Sequence, residues 1–212
     1  LPDIDVKDIS DVLGPIWLTK AATARRVKQR IHQVMEWSCA QGLRVGNPVN
    51  GVQHLLPKQP SASVRVQHHP AMPWVNIPDF VETHITDAEN VSRTLLLFVI
   101  LTAVRSGEAR GARWSEFNLE QKVWSIPAIR MKTQVIHRVP LAEPVVELLQ
   151  KQQQRSKHSI VFPSPKAGKI LTDMALTSFL RKHKAISDTP GRPATAHGFR
   201  SSFRDWASEN AY

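Results

Sequence analysis

The stretch Leu95-Leu-Leu-Phe-Val-Ile-Leu101-Thr-Ala-Val-Arg105-Ser-Gly-Glu108 decides how the rest of the sequence is read. Its first part is apolar on nearly every side, and a helix of that kind belongs at the centre of a domain. Its second part sets an arginine directly behind the buried run. A fully buried arginine is costly unless it is paired. Arg105 is therefore expected to emerge at a cleft or to meet an anion, with Glu108 three residues on to hold the guanidinium. The ordinary alternative is a structural Arg–Glu pair at a helix end, and taken alone these residues favour it.

Working outward, Thr86-Asp-Ala-Glu89 has the form of a capping box, so the apolar helix is expected from Asp87 to about Val104. Residues 108–115 read as a second, shorter helix. Lys122 to Ile126 and Val135 to Leu141 carry Val, Ile and Trp and read as two strands, with residues 127–134 as their hairpin connection. Helices are expected over 144–154, 173–184 and 197–209, a short strand or edge at 160–162, and a loop at 189–193. Toward the amino end, Pro57, Pro60, Pro70, Pro73 and Pro78 exclude a continuous helix or a central strand over residues 56–78, which read as a linker. Before it, Thr19 is the expected N-cap of a helix running to about Gln41 and closed by Gly42. Val27, Ile31, Val34 and Met35 fall on one face of that helix. Arg25, Arg26, Lys28 and Arg30 crowd its first half, either as a solvated face or as a strip of phosphate contacts. The expected fold class is mainly α with a small antiparallel sheet (α+β).

Composition bounds the answer. The chain has 212 residues, 42% hydrophobic and 22% charged, which is globular in class and long enough for a core. Lys+Arg 28 against Asp+Glu 18 leaves a formal charge of +10, which suits a polyanionic partner without establishing one. A single cysteine, Cys39, excludes an internal disulfide framework and a multi-cysteine zinc site. The longest apolar run is about half of what a bilayer span needs, and no basic-then-apolar signal opens the chain. A reducing, cytoplasmic setting is expected, with no membrane partner.

Two further clusters bear chemistry. In His197-Gly-Phe-Arg200, helical spacing puts an imidazole beside a guanidinium. The positive neighbour favours the neutral, proton-exchanging ring, and an arginine can grip an anionic oxygen with two donors. The ordinary alternative is a capped surface helix. In Arg130-Met-Lys132-Thr133, the lysine sits in the strand connection, where it is either turn chemistry or a mobile acid for a leaving oxygen. Three cationic stations and a histidine suit a phosphodiester, whose nonbridging oxygens gather charge in the transition state. His68-His69 reads as part of the linker, with metal binding the remote alternative. No H-E-x-x-H, P-loop or carboxylate cluster suggests a metal or nucleotide cofactor.

The segments Thr102-Ala-Val-Arg105-Ser-Gly-Glu108-Ala-Arg-Gly-Ala-Arg-Trp114-Ser-Glu-Phe, Arg130-Met-Lys132, His137-Arg-Val-Pro-Leu141 and His197-Gly-Phe-Arg200-Ser-Ser-Phe-Arg-Asp-Trp206 resemble the tyrosine recombinase family. More narrowly they resemble integrases of phages, prophages and pathogenicity islands. The resemblance covers most of the chain. It implies that residues 1–55 are part of a helical core-binding, DNA-binding domain, 56–78 a linker, and 79–212 a catalytic domain lacking its C-terminal end. It implies site-specific DNA recombination, integrating and excising a mobile element through a phosphotyrosyl intermediate. Arg105 and Arg200 would clamp the scissile phosphate, with Glu108 supporting Arg105. Lys132 would be the general acid for the leaving 5′ oxygen, and His197 would assist proton transfer. No metal or other cofactor is implied.

The resemblance also implies partners: double-stranded attachment sites, a homotetramer on DNA in the full protein, a host DNA-bending protein, a directionality factor and a nucleoid setting. One feature departs from the family. The nucleophilic tyrosine is expected well beyond the H-x-x-R segment, whereas Tyr212, the only tyrosine, stands twelve positions after Arg200. The chain is therefore expected to be an internal piece of a longer integrase, monomeric by itself and unable to cut. The competing readings are a type IB topoisomerase-like enzyme and a basic protein that only binds DNA.

Overall fold

The computed structural model describes residues 3–59, 68–85, 90–156, 158–166 and 169–212. The chain divides into two compact units, residues 1–67 and 68–212.

The first unit is helical. Helix α1 (Val6–Trp17) opens on a reciprocal cap. The Asp5 carboxylate accepts from the amides of Lys7 and Asp8, and the Asp8 carboxylate accepts from the Asp5 amide. Helix α2 (Ala21–Ala40) has no side-chain cap. The expected cap residue Thr19 donates its hydroxyl to the Pro15 carbonyl at 3.1 Å, so it finishes α1 and does not start α2. Gly42 closes α2 as expected, at φ +69, where a side chain would be strained. The inward stripe of α2 runs Ala24, Val27, Ile31, Met35. Val34, expected in that stripe, is 50% exposed, because Met35 keeps the i+4 step from Ile31. The side chain of Asn47 caps a 3-10 turn (Pro48–Gly51), and α3 (Val52–Leu55) follows. Ile9, Leu13 and Trp17 close this core from α1. The Trp17 indole donates to the Pro57 carbonyl at 2.6 Å, fastening the chain that leaves the helices.

The second unit opens with residues 68–72 lying against its last helix. A 3-10 turn (Trp74–Asn76) then leads into α4 (Ile77–His84), which the sequence reading does not anticipate. Pro78 sits in the first turn of α4, where its missing N–H costs nothing. Helix α5 (Val91–Thr102) starts under Asn90, whose side chain accepts from the Ser92 amide at 2.8 Å. The capping box expected at 86–89 lies outside the described residues. Helix α6 is Ser106–Arg110, shorter than expected. Next come β1 (Phe117–Asn118), β2 (Val123–Ile126), β3 (His137–Pro140), α7 (Glu143–Arg155), α8 (Asp173–Lys182) and α9 (Phe199–Glu209).

The unit is mostly helical, with a three-stranded antiparallel sheet in the order β1-β2-β3. Phe117 pairs with Trp124, and Trp124 with Val139. The strand expected at 160–162 is reduced to isolated bridges, Arg113 with Ile160 and Pro163 with Ile170. Helix α5 is the centre, packed against α6, α7, α8 and α9. Its Leu95, Leu96, Phe98 and Val99 are fully buried. Each such side chain stabilises the fold by about 1.5–3 kcal/mol relative to exposure. The Phe98 ring lies 5.2 Å from Phe162 and 5.3 Å from Trp124, joining the helical layer to the sheet. Among the described residues no helix is long and apolar enough to cross a membrane.

Candidate phosphate-binding site

The end of α5 makes the site. Helix α5 breaks at Ala103, held in the left-handed region at φ 50. Few residues other than glycine adopt this conformation, and here it turns the chain so that Arg105 leaves the buried core. Glu108, 7% exposed, meets the Arg105 guanidinium at 2.6 Å with one carboxylate oxygen. Its other oxygen accepts from the Arg105 amide at 3.0 Å. A single carboxylate thus fixes both the side chain and the backbone of Arg105.

Arg200, in the first turn of α9, donates to the Ala103 carbonyl. Arg200 is therefore tied to the turn that leads into Arg105. His197 precedes α9 and does not lie within it, correcting the expected helix start. The Arg200 amide still donates to the His197 carbonyl at 3.2 Å, which keeps the two residues one turn apart. Gly198 between them is buried against the Pro70 carbonyl.

His197 and Arg200 line a concavity of about 490 Å³ with Thr102, Ala103, His137 and Arg204. No carboxylate is in its lining. Partial burial is the main cause that holds the His197 imidazole below its ordinary pKa, followed by the charges of His69, Arg200 and Arg105. The ring is therefore biased to its neutral form, able to take or relay a proton. His197 and Arg200 share this concavity, whereas Arg105 does not line it and reaches the His197 ring only through its charge. Among the described residues, Glu108 is the only acceptor of the Arg105 side chain and Ala103 the only one of Arg200. Most guanidinium donors thus remain for an outside oxygen.

Lys132 is exposed on the β2–β3 connection and does not line the concavity. His137, at the start of β3 on the same hairpin, does. Lys132 has no protein partner among the described residues. Arg25, Arg26 and Arg30 are exposed and Lys28 half-buried on α2 of the first unit, none in an ion pair among the described residues. Tyr212 is 88% exposed and stacks on Trp206, with ring centroids 5.3 Å apart.

The sequence reading missed a buried support beneath α6. The Arg130 guanidinium pairs with Glu116 and also donates to the Glu108 carbonyl. Glu116 additionally accepts from the Trp124 indole at 2.9 Å. This links the sheet and the hairpin connection to the backbone of Glu108, the residue whose carboxylate holds Arg105. The signal available was an arginine two residues before Lys132, overshadowed by the lysine itself. Among the described residues no group of three or more metal-ligating side chains occurs.

The domain is mainly helical, with a cationic concavity lined by Arg200, Arg204 and His197, and with the Arg105 charge felt at the His197 ring. The chain belongs to the phage integrase family, which matches residues 75–211, and residues 1–54 match the phage integrase central domain. It is 31% identical over 211 residues to the prophage integrase IntZ of Escherichia coli, covering 98% of this chain and 50% of that protein. To the integrase of Enterobacteria phage P4 it is 28% identical over 227 residues, again covering 98% and 50%. The chain thus spans half the length of these relatives. In fold it is similar to a lambda integrase tetramer bound to a Holliday junction (TM-score 0.72, 18% identity, 99% of this chain and 61% of that one). It is similar also to the Tn1549 transposon integrase bound to a circular intermediate DNA (TM-score 0.73, 13% identity, 99% and 74%).

Proposed function

We propose that this chain carries the phosphate-activating machinery of a tyrosine-type site-specific recombinase acting on duplex attachment sites. The observation that carries the reading is the bond from Arg200 to the carbonyl of Ala103, two residues before Arg105, with His197 beside Arg200 in one concavity. In this reading the two guanidinium groups bind the nonbridging oxygens of the scissile phosphate, where charge accumulates. A tyrosine oxygen attacks phosphorus and forms the phosphotyrosyl bond. The bond to the 5′ oxygen breaks, and Lys132 gives that oxygen its proton. His197 takes the tyrosine proton or shares it with the phosphate. Rejoining runs the same steps backward with a new 5′ hydroxyl, so bond energy is conserved and no nucleotide cofactor is consumed.

Lys132 fits this role because it has no partner among the described residues and rides on the hairpin whose His137 borders the concavity. Residues 1–55 serve as part of the core-binding domain, with Arg25, Arg26, Lys28 and Arg30 on DNA phosphates, and residues 79–212 as the catalytic domain. The structural neighbours, an integrase bound to a circular intermediate DNA and an integrase tetramer bound to a Holliday junction, support DNA as the partner and a tetramer on it. A host DNA-bending protein, a directionality factor and a cytoplasmic, nucleoid-associated setting complete the proposal.

Arg200→Ala tests the reading. In a version of the protein joined to a nucleophilic tyrosine, strand cleavage should fall by about 10²–10³-fold, the usual cost of one transition-state donor. Duplex binding should change far less. Equal loss of cleavage and binding would instead support a protein that only binds DNA. We further propose that Tyr212 is not the nucleophile and that these 212 residues bind without cutting. Incubated with a nicked suicide duplex and run on a denaturing gel, the chain should leave no protein–DNA adduct. An adduct lost on Tyr212→Phe would refute this.

A further inference from the structure

We propose that His69 is a positioning residue of the phosphate site, its ring packing on His197 and fixing the plane in which that imidazole meets a phosphate. The inference rests on the reading of Arg105, His197 and Arg200 as phosphate-binding groups. The two rings lie 4.5 Å apart between centroids, tilted by 55°. Among the described residues no hydrogen bond reaches the His197 ring, so none sets its rotation. Proton exchange at a chosen atom needs a fixed ring, and here the neighbour that can fix it is another ring.

His69 is itself rigidly mounted. Pro70 follows it, and a residue before proline is restricted to extended backbone. The Pro70 carbonyl accepts from the Thr195 amide at 3.0 Å and the Thr195 hydroxyl at 3.2 Å. The Ala71 amide donates to the Asp188 carboxylate at 3.1 Å, and the Asp188 amide to the Ala71 carbonyl at 2.8 Å. The Ser202 hydroxyl donates to the Met72 carbonyl. Residues 70–72 are thus bolted to both flanks of the turn that carries His197. The mount of His197 is equally firm, since Ala196 and Gly198 on either side are buried.

The charged and titratable groups around His197 are His69 from the entering segment, Arg200 from α9 and Arg105 from the α5–α6 turn. His137 from β3 and Arg204 from α9 line the same concavity. The carboxylate held in this turn, Glu108, is engaged by Arg105. Removing His69 therefore takes away both ring cover and a like charge, and both losses let the His197 midpoint rise.

The test is a pH titration of the His197 ring by NMR in the 212-residue chain, without and with a short duplex. In the wild type the midpoint should lie below the ordinary histidine value and respond to the duplex. In His69→Ala it should move up, and the ring should average over rotamers. In His69→Phe the ring should stay ordered, because the aromatic contact is kept. His69 is exposed, so both variants should keep the wild-type amide spectrum. A wild-type midpoint and ring order in His69→Ala, or His69→Phe behaving like His69→Ala, would overturn the proposal while a duplex response at His197 leaves the site reading standing. A wild-type His197 that does not respond to a duplex the chain binds would overturn the site reading and this inference with it.

Discussion

Gly198→Ala should unfold the second unit at markedly lower temperature than the wild type. A Cβ on Gly198 would stand 2.1 Å from the Pro70 carbonyl oxygen and 2.8 Å from the Ala71 Cα. Both obstacles are backbone, so no rotamer change relieves them. The Pro70 carbonyl cannot retreat without giving up two bonds from Thr195, and residues 71 and 72 are tied to Asp188 and Ser202. Overpacking of this kind costs about 1–3 kcal/mol or more. At the upper end, and at about 2–4 °C per kcal/mol for a unit of this size, the melting temperature should drop by roughly 6–12 °C. Gly107→Ala is the matched control. The nearest atom to its Cβ is the Arg110 guanidinium at 3.8 Å, so the added methyl has room. Helix propensity then makes the substitution neutral or stabilising, by up to about 1 kcal/mol. Thermal unfolding of the pair decides the matter, and equal shifts would show that the segment does not press on this turn.

Arg130→Ala should cost about 3–5 kcal/mol, the usual result of stranding one member of a buried ion pair. Glu116, 9% exposed, would keep only the Trp124 indole and the Arg113 amide as donors. The Glu108 carbonyl would lose its contact from Arg130 as well. Arg130→Lys should recover only part of the loss, because an ammonium lacks the planar fork that serves both acceptors. Arg130→Met combined with Glu116→Gln should be closer to wild type than Arg130→Ala, since no lone charge is left behind. Denaturant midpoints of the three variants check this order. A double variant as unstable as Arg130→Ala would mean that packing, not charge, sets the cost.

Much of the fold was legible because local patterns and tertiary needs agreed. The apolar run Leu95–Leu101 could only be central, and Gly42 could only end a helix. Trp124 and Val139 alternate as half-buried strands must. Helix α4 was hidden because Pro78 serves equally well in a linker and in a first helical turn. Thr19 misled because a hydroxyl that can cap the next helix can also bond back to the one before it. Strand β1 has two residues, too few to show alternation.

Within the site, the Arg105–Glu108 pair was legible because its members lie three residues apart, and the spacing of His197 and Arg200 was legible for the same reason. His69 and Arg130 were not. Their partners lie far off, at His197 and Glu116, and nothing in local spacing marks such a meeting. The ring contact of His69 turns on a carbonyl pressed against Gly198, which shows only once the two segments are in place.

The bonds from Thr195 to Pro70 and from Ser202 to Met72 join positions 125 and 130 residues apart. Nearly the whole of the second unit must be synthesised before they can form, so the arginine of α9 reaches its turn late. A nascent or prematurely ended chain therefore carries Arg105 without its counterpart. The order of events makes the two-arginine turn a product of chain completion: its full grip on an anion is withheld until the polypeptide has closed on itself.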